Sequence, residues 1–152
     1  MQFVTMTDDE IKDSALLADG VYRANIFDAF DKDNSNNQLV TKNGNDKIQM
    51  ICNVFDVKGN PRKINSMVTP AFIKLLKHLC DAIGLEKEYL SGNVSATDIR
   101  KKFDQDFSVL VGRRNYTKDA TGEVVWVNQI DDYYKIDKLE AKSDKFNDDI
   151  NF

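Results

Sequence analysis

At 152 residues, 41% of them hydrophobic, the chain has the length and apolar content of one domain around a single core, and a second independent domain is not expected. No stretch approaches the roughly 20 consecutive apolar residues of a membrane-spanning helix, and residues 1–13 are acidic where a secretory leader would be basic and then apolar, so a soluble, cytoplasmic protein is expected. The net charge of -4 weighs against a phosphate-rich partner, but acid is concentrated at the two ends, in Asp8, Asp9 and Glu10 and in residues 144–149, while the middle holds Lys42, Lys47, Lys58, Arg62, Lys63, Arg100, Lys101, Lys102, Arg113, Arg114 and Lys118.

Thr7 and Glu10 stand at capping-box spacing, and Ile11, Ala15, Leu16 and Leu17 follow at roughly helical intervals, which predicts a short N-terminal helix broken by Asp19 and Gly20. Residues 21–30 are rich in β-branched and aromatic side chains and read as a first strand. Residues 31–45, crowded with Asn and Asp and containing Asn43-Gly44, read as a loop or the tip of a long hairpin. Ile48, Met50, Cys52 and Val54 then alternate with Gln49, Ile51, Asn53 and Phe55, the period of a strand with one buried face. Lys58-Gly59-Asn60-Pro61 is a turn, and residues 62–68 return as a third strand with Ile64 and Val68 on one side.

Thr69 and Pro70 supply a capping hydroxyl and a proline at a helix start, with Phe72, Leu75, Leu76, Leu79 and Ile83 as the apolar stripe and Gly84 as the stop. Residues 86–90 add a turn, and Ser95 with Asp98 predicts a second capped start before residues 99–103. Phe107, Val109 and Val111 alternate with Ser108, Leu110 and Gly112, and a further apolar run over residues 124–130 follows a polar loop, so these two strands form a hairpin. Cys52 and Cys80 sit in apolar runs and read as buried thiols, without disulfide or zinc spacing. Residues 138–152 have no periodicity.

Five strands with a helix between the third and fourth is the arrangement of an OB-type barrel, whose open face and loops commonly hold oligonucleotides; small α+β folds share the same element totals, so order alone supports a β-barrel or an α+β fold. The expected fold is mainly β with α insertions: an OB-like five-stranded barrel domain over residues 1–137 and a flexible acidic tail over residues 138–152.

Binding a single strand requires cations that follow the backbone together with exposed aromatic faces on which bases stack. The sequence interleaves the two: Phe55 lies on the polar side of its strand near Lys47, Lys58, Arg62 and Lys63, and Tyr116 and Trp126 lie in the hairpin with Arg113, Arg114 and Lys118. The alternative is that Phe55 and Trp126 are core residues and the cations a solvated rim. For Trp126 the outcome depends on register: it points outward if Val125 and Val127 face the core, and is buried if it shares the core side with Val124 and Ile130. Tyr133 and Tyr134 are adjacent, so one faces in and the other out. His78, among Lys74, Lys77 and Asp81, is expected to face solvent. There is no spaced carboxylate motif with a lysine or histidine and no phosphate loop, so no catalytic residue, metal or cofactor is expected and the chain does not read as an enzyme.

Gly20-Val21-Tyr22, Thr41-Lys42-Asn43-Gly44-Asn45, the run from Val54 through Asp56 to Asn60, and Leu79-Cys80-Asp81-Ala82-Ile83-Gly84-Leu85 together resemble a family of small phage-encoded single-stranded DNA-binding proteins linked to DNA replication and recombination. The final residues, Asp148, Asp149, Ile150, Asn151 and Phe152, are similar to the acidic C-terminal tip of bacterial and phage single-stranded DNA-binding proteins, with Asn151 where bacterial tips usually carry proline. The resemblance implies a sequence-tolerant protein that coats single strands and recruits replication or recombination proteins through Asp148, Asp149, Ile150 and Phe152; related phage binders often pair, which makes a homodimer a further expectation. The rival reading is an OB-like protein-interaction or inhibitor module that binds no nucleic acid.

Overall fold

The alternation of Ile48, Met50, Cys52 and Val54 becomes the buried side of strand β2 (Ile48–Phe55), with Gln49, Ile51, Asn53 and Phe55 half-covered on the other. In the computed structural model, which describes residues 1–8 and 16–136, β2 is joined by β1 (Gly20–Phe30), β3 (Pro61–Val68), β4 (Phe107–Thr117) and β5 (Val124–Tyr134). They form one antiparallel sheet in the order β3-β2-β1-β4-β5. Helices α1 (Ile73–Ile83), α2 (Glu86–Ser91) and α3 (Ala96–Arg100) fall between β3 and β4.

β1 decides the shape of the sheet. Its first part, from Gly20 to Ala24, pairs with β4, and its second, from Ala24 to Phe30, pairs with β2; of the paired residues only Ala24 has a partner on both sides, Val54 and Phe107. Two neighbours displaced along one strand make the sheet curl, and β3 and β5, which run in the same direction, come together at a hydrogen bond of 2.5 Å between the Ser66 and Tyr133 hydroxyls. Ala24, Ile26, Met50, Cys52, Val54, Phe107, Val109 and Val111 fill the interior. α1 packs on β5 and α3 on β1, inserting Leu79, Cys80, Ile83 and Ile99. Burial pushes both thiols up, Cys52 to about 12 and Cys80, with a further push from nearby acids, to about 11, which makes them poor nucleophiles.

Two bulges adjust the pleat. Ile26 pairs with Cys52 and Asp28 with Ile51, so Phe27 is an extra residue; the phase change buries Ala29 and turns Phe30 outward. In β5 the extra residue is Asp131, and Gly112 opposite provides the room, since a Cβ there would overlap the Asp131 carboxylate.

The turns follow their chemistry. Asp56 Oδ1 accepts from the Lys58 and Asn60 N–H groups, both at 2.9 Å, and Gly59 takes the left-handed conformation at φ 82° that closes the β2–β3 turn. Ser95 and Asp98 form the expected reciprocal cap, with bonds of 3.1 and 3.0 Å, and Gly84 ends α1 with φ 81°.

Three expectations are corrected. Thr69 makes no capping bond; its buried hydroxyl donates to the Asp46 carbonyl at 2.7 Å, tying the start of the helical insertion to the β1–β2 connection. The apolar stripe does not begin at Phe72, which is 58% exposed, because residues Pro70–Phe72 form a 3₁₀ turn whose tighter winding changes the phase; the buried face of α1 is carried by Leu79, Cys80, Ala82 and Ile83. His78 is partly buried, with its Nδ1 2.6 Å from Asp132 Oδ1, linking α1 to β5. Of the N-terminal helix expected from Thr7 to Leu17, residues 9–15 lie outside the described residues, and Leu16 and Leu17 are not helical.

Tyr133 is 3% exposed, and burial pushes its hydroxyl above the usual phenol range. Removing either partner strands the other, so Ser66→Ala and Tyr133→Phe are each expected to cost about 1–3 kcal/mol in urea unfolding, with the double variant costing less than the sum. Asp132 provides a pH test. Partial burial alone would raise its carboxyl, but hydrogen bonds involving His78 and the Tyr133 N–H outweigh that and hold it below the usual value. A lowered folded pKa stabilises the protein above the unfolded carboxyl pKa, about 3.9, and the benefit is lost as pH falls through the folded value. The stabilisation of the parent over Asp132→Asn, read as a difference in melting temperature, should therefore shrink as pH falls below about 4.

Candidate nucleic-acid interface

Directly paired residues of an antiparallel sheet point to the same side, so the outward surface can be followed from strand to strand. Lys63 on β3 pairs with Asn53 on β2, which pairs with Asn25 on β1, and the two amides are bonded, Asn53 Nδ2 donating to Asn25 Oδ1 at 3.0 Å. Phe55 lies on this side opposite Pro61. The Phe27 bulge adds a ring that is 51% exposed, with the Lys63 ammonium 3.8 Å from its centroid, a cation–π contact. On β1 the same side carries Arg23, which pairs with Ser108, and it continues along β4 through Leu110 and Gly112 to Arg114 and Tyr116.

The ten residues expected to bind nucleic acid are thus divided. Phe55, Lys63, Arg114 and Tyr116 share the outward side. Lys58 lies in the β2–β3 turn and Lys118 in the β4–β5 turn, where its ammonium is 3.8 Å from Glu123. Arg62 pairs with Val54, Arg113 with Asn128 and Trp126 with Asn115, which places all three on the opposite side of the pleat. Arg113 Nε donates to the Leu17 carbonyl at 3.2 Å. Lys47 does not join Phe55: it precedes β2 at the far end of the strand, roughly 25 Å away for eight extended residues. There it lines a cavity of about 360 Å³ with Asp31, Asp46, Thr69 and Leu76. The tip residues Asp148, Asp149, Ile150 and Phe152 lie outside the described residues.

Trp126 follows neither simple alternative. It shares its side of the strand with Ile130, which packs against the core, yet is 53% exposed. The last β1–β4 pair is Gly20 with Val111; beyond it β4 and β5 continue alone for six pairs, Gly112 with Gln129 through Thr117 with Val124. This two-stranded ribbon, about 20 Å long, extends past the layer that would cover it, so alternation there no longer decides burial. Asn128 braces its base, exchanging bonds of 2.8 and 2.9 Å with the backbone of Leu17.

Arg23, Asn25, Phe27 and Asn53 were not among the sequence candidates. The signal for Phe27 is the break in alternation between Ile26 and Ala29, where two large apolar residues adjoin in a strand otherwise of period two. Among the described residues no group of His, Cys, Asp or Glu side chains is arranged to hold a metal ion, and no helix is long and apolar enough to cross a membrane. The chain matches no protein-family model and no curated protein.

Phe27 and Trp126 each leave about half of their surface in water, so Phe27→Ala and Trp126→Ala should cost only about 1 kcal/mol in urea unfolding, whereas Phe107→Ala, fully buried, should cost about 3–5 kcal/mol.

Proposed function

We propose that the chain is a sequence-tolerant single-stranded DNA-binding protein of OB-like architecture, acting in phage-type replication and recombination. The observation that carries this reading is the outward side of the sheet, where the half-exposed Phe27 ring lies under the Lys63 ammonium, with Phe55, Arg23, Arg114 and Tyr116 on the same side. Unpaired bases offer flat faces to Phe27, Phe55 and Tyr116, and the phosphates that follow them offer charge to Lys63 and Arg114. A partly open five-stranded sheet whose third and fifth strands meet, with helices between the third and fourth, supports the OB-like reading. The resemblance of Gly20-Val21-Tyr22 and the Asp56 turn to phage single-stranded DNA-binding proteins supports it further, and the tip residues Asp148, Asp149, Ile150 and Phe152 would recruit partner proteins.

Anisotropy titration of labelled oligo-dT against a duplex of equal length, at increasing salt, tests the proposal. Preference for the single strand is expected, with an affinity that falls linearly on logarithmic axes and a slope that Lys63→Ala makes shallower by about 0.7. Phe27→Ala and Tyr116→Ala should each lose about 1–3 kcal/mol of binding while remaining folded. Equal affinity for duplex, or no binding at low salt by both the full chain and a chain shortened before Asp148, would reject it in favour of a protein-interaction module.

A further inference from the structure

We propose that Asn25 and Asn53 form a reversible amide pair that hydrogen-bonds the edge of an unpaired nucleobase without choosing among the bases. The inference rests on the single-strand binding proposed above and names the contact that makes it tolerant of sequence. Asparagine is depleted in strands, yet the neighbouring strands β1 and β2 set one opposite the other on the outward side of the sheet, both half-buried. Asn53 Nδ2 donates to Asn25 Oδ1 at 3.0 Å, and among the described residues no other hydrogen bond is made by the Asn25 amide nitrogen or the Asn53 amide oxygen, so the pair holds out a donor and an acceptor.

The surroundings of the pair fit a base. Phe27 and Phe55 each lie two residues further along their own strand, and because β1 and β2 are antiparallel the rings flank the amides from opposite ends, roughly 7 Å away along the strands. Lys63 pairs with Asn53 from β3 and holds its ammonium over Phe27. A base that stacks on Phe55, or on Phe27 once the ammonium moves to a phosphate, turns a polar edge toward the amides. Those edges come in two orders: thymine and guanine present a carbonyl beside a ring N–H, cytosine and adenine an exocyclic N–H beside a bare ring nitrogen. A fixed donor and acceptor would match one order and oppose the other. An asparagine amide exchanges its nitrogen and oxygen by a half-turn about its last bond. If both amides turn together, Asn25 donates to Asn53, the cross-strand bond is kept, and the outward donor and acceptor change places. Both orders are then matched, whereas stacking alone gives no preference for an edge that hydrogen-bonds.

Competition binding with short oligo-dT, oligo-dC and an oligomer of the difluorotoluene nucleoside, which keeps the shape of thymine without its hydrogen bonds, tests the pair. The parent should bind dT and dC within about threefold of each other and the difluorotoluene oligomer about three- to tenfold more weakly. Replacing both partners of a bond by apolar groups of the same shape leaves stability nearly unchanged, so Asn25→Leu/Asn53→Leu should stay folded, lose about three- to tenfold on dT and dC alike, and lose nothing on the difluorotoluene oligomer. A carboxylate only accepts, so Asn53→Asp, which weakens binding of both oligomers through its added charge, should prefer dC, which donates, over dT by about three- to tenfold. Equal binding of dT and the difluorotoluene oligomer by the parent, an equal loss on both in the leucine variant, or equal binding of dT and dC by Asn53→Asp overturns the inference and leaves single-strand binding standing. A parent that binds none of these oligomers overturns the proposed function, and this inference with it.

Discussion

Tyr133 brings a phenolic hydroxyl into an apolar interior, and the Ser66 hydroxyl that meets it there joins the two ends of the sheet. An unpaired hydroxyl at that depth would cost more than most single packing contacts contribute, so β3 and β5 are held in one relative position. The Tyr133 ring also packs on Phe107 at a centroid distance of 6.2 Å, and His78 bonds to the adjacent Asp132, so seam, core and α1 are fixed by consecutive residues. Once the seam is fixed, β1 must serve β4 with one part and β2 with the other, which leaves its outward side, with Arg23, Asn25 and Phe27, in the middle of the sheet.

The ribbon follows from the same arrangement. β4 and β5 are each eleven residues long, but β4 pairs with β1 only as far as Val111, so the remainder has no third strand. Two-stranded ribbons are marginal alone. This one is anchored at its base by Asn128 and Arg113 on the Leu17 backbone, and that anchoring is the structural role of an arginine that sequence alone groups with the phosphate-binding candidates.

β2 and β4 were legible because each carries a clear period, through Ile48 to Val54 and through Phe107 to Val111, while β1 and β5 were legible as β-branched and aromatic runs, with the β2–β3 and β4–β5 turns marked by Gly59 and the loop at Gly122. What the period does not encode was missed. A 3₁₀ turn has no distinctive residue pattern beyond Thr69 and Pro70, so Phe72 falls off the apolar stripe that Leu76, Leu79 and Ile83 do form. A bulge is visible only as a local break in alternation, so Phe27 was passed over, and an overhang depends on how far a neighbouring strand reaches, which no window around Trp126 contains. The placement of Lys47 away from Phe55 failed for a simpler reason, because proximity in sequence along an extended strand is distance in space.

Charge bears on the proposed binding through its local distribution. At physiological ionic strength the screening length is about 8 Å, so a phosphate beside Lys63 and Phe27 responds to the side chains around it and hardly to acid several strands away. A net charge of -4 is then compatible with a cationic strip, and it has a consequence for selectivity. A duplex, stiff and densely charged, brings many phosphates against whatever surface surrounds the strip, including Asp132 on the same outward side. A flexible single strand can keep its phosphates near Arg114 and Lys63 and gain stacking that paired bases cannot offer. Acidic surroundings would thus disfavour duplex more than single strand, and the acidity that first weighs against nucleic acid becomes part of how the proposed site distinguishes its forms.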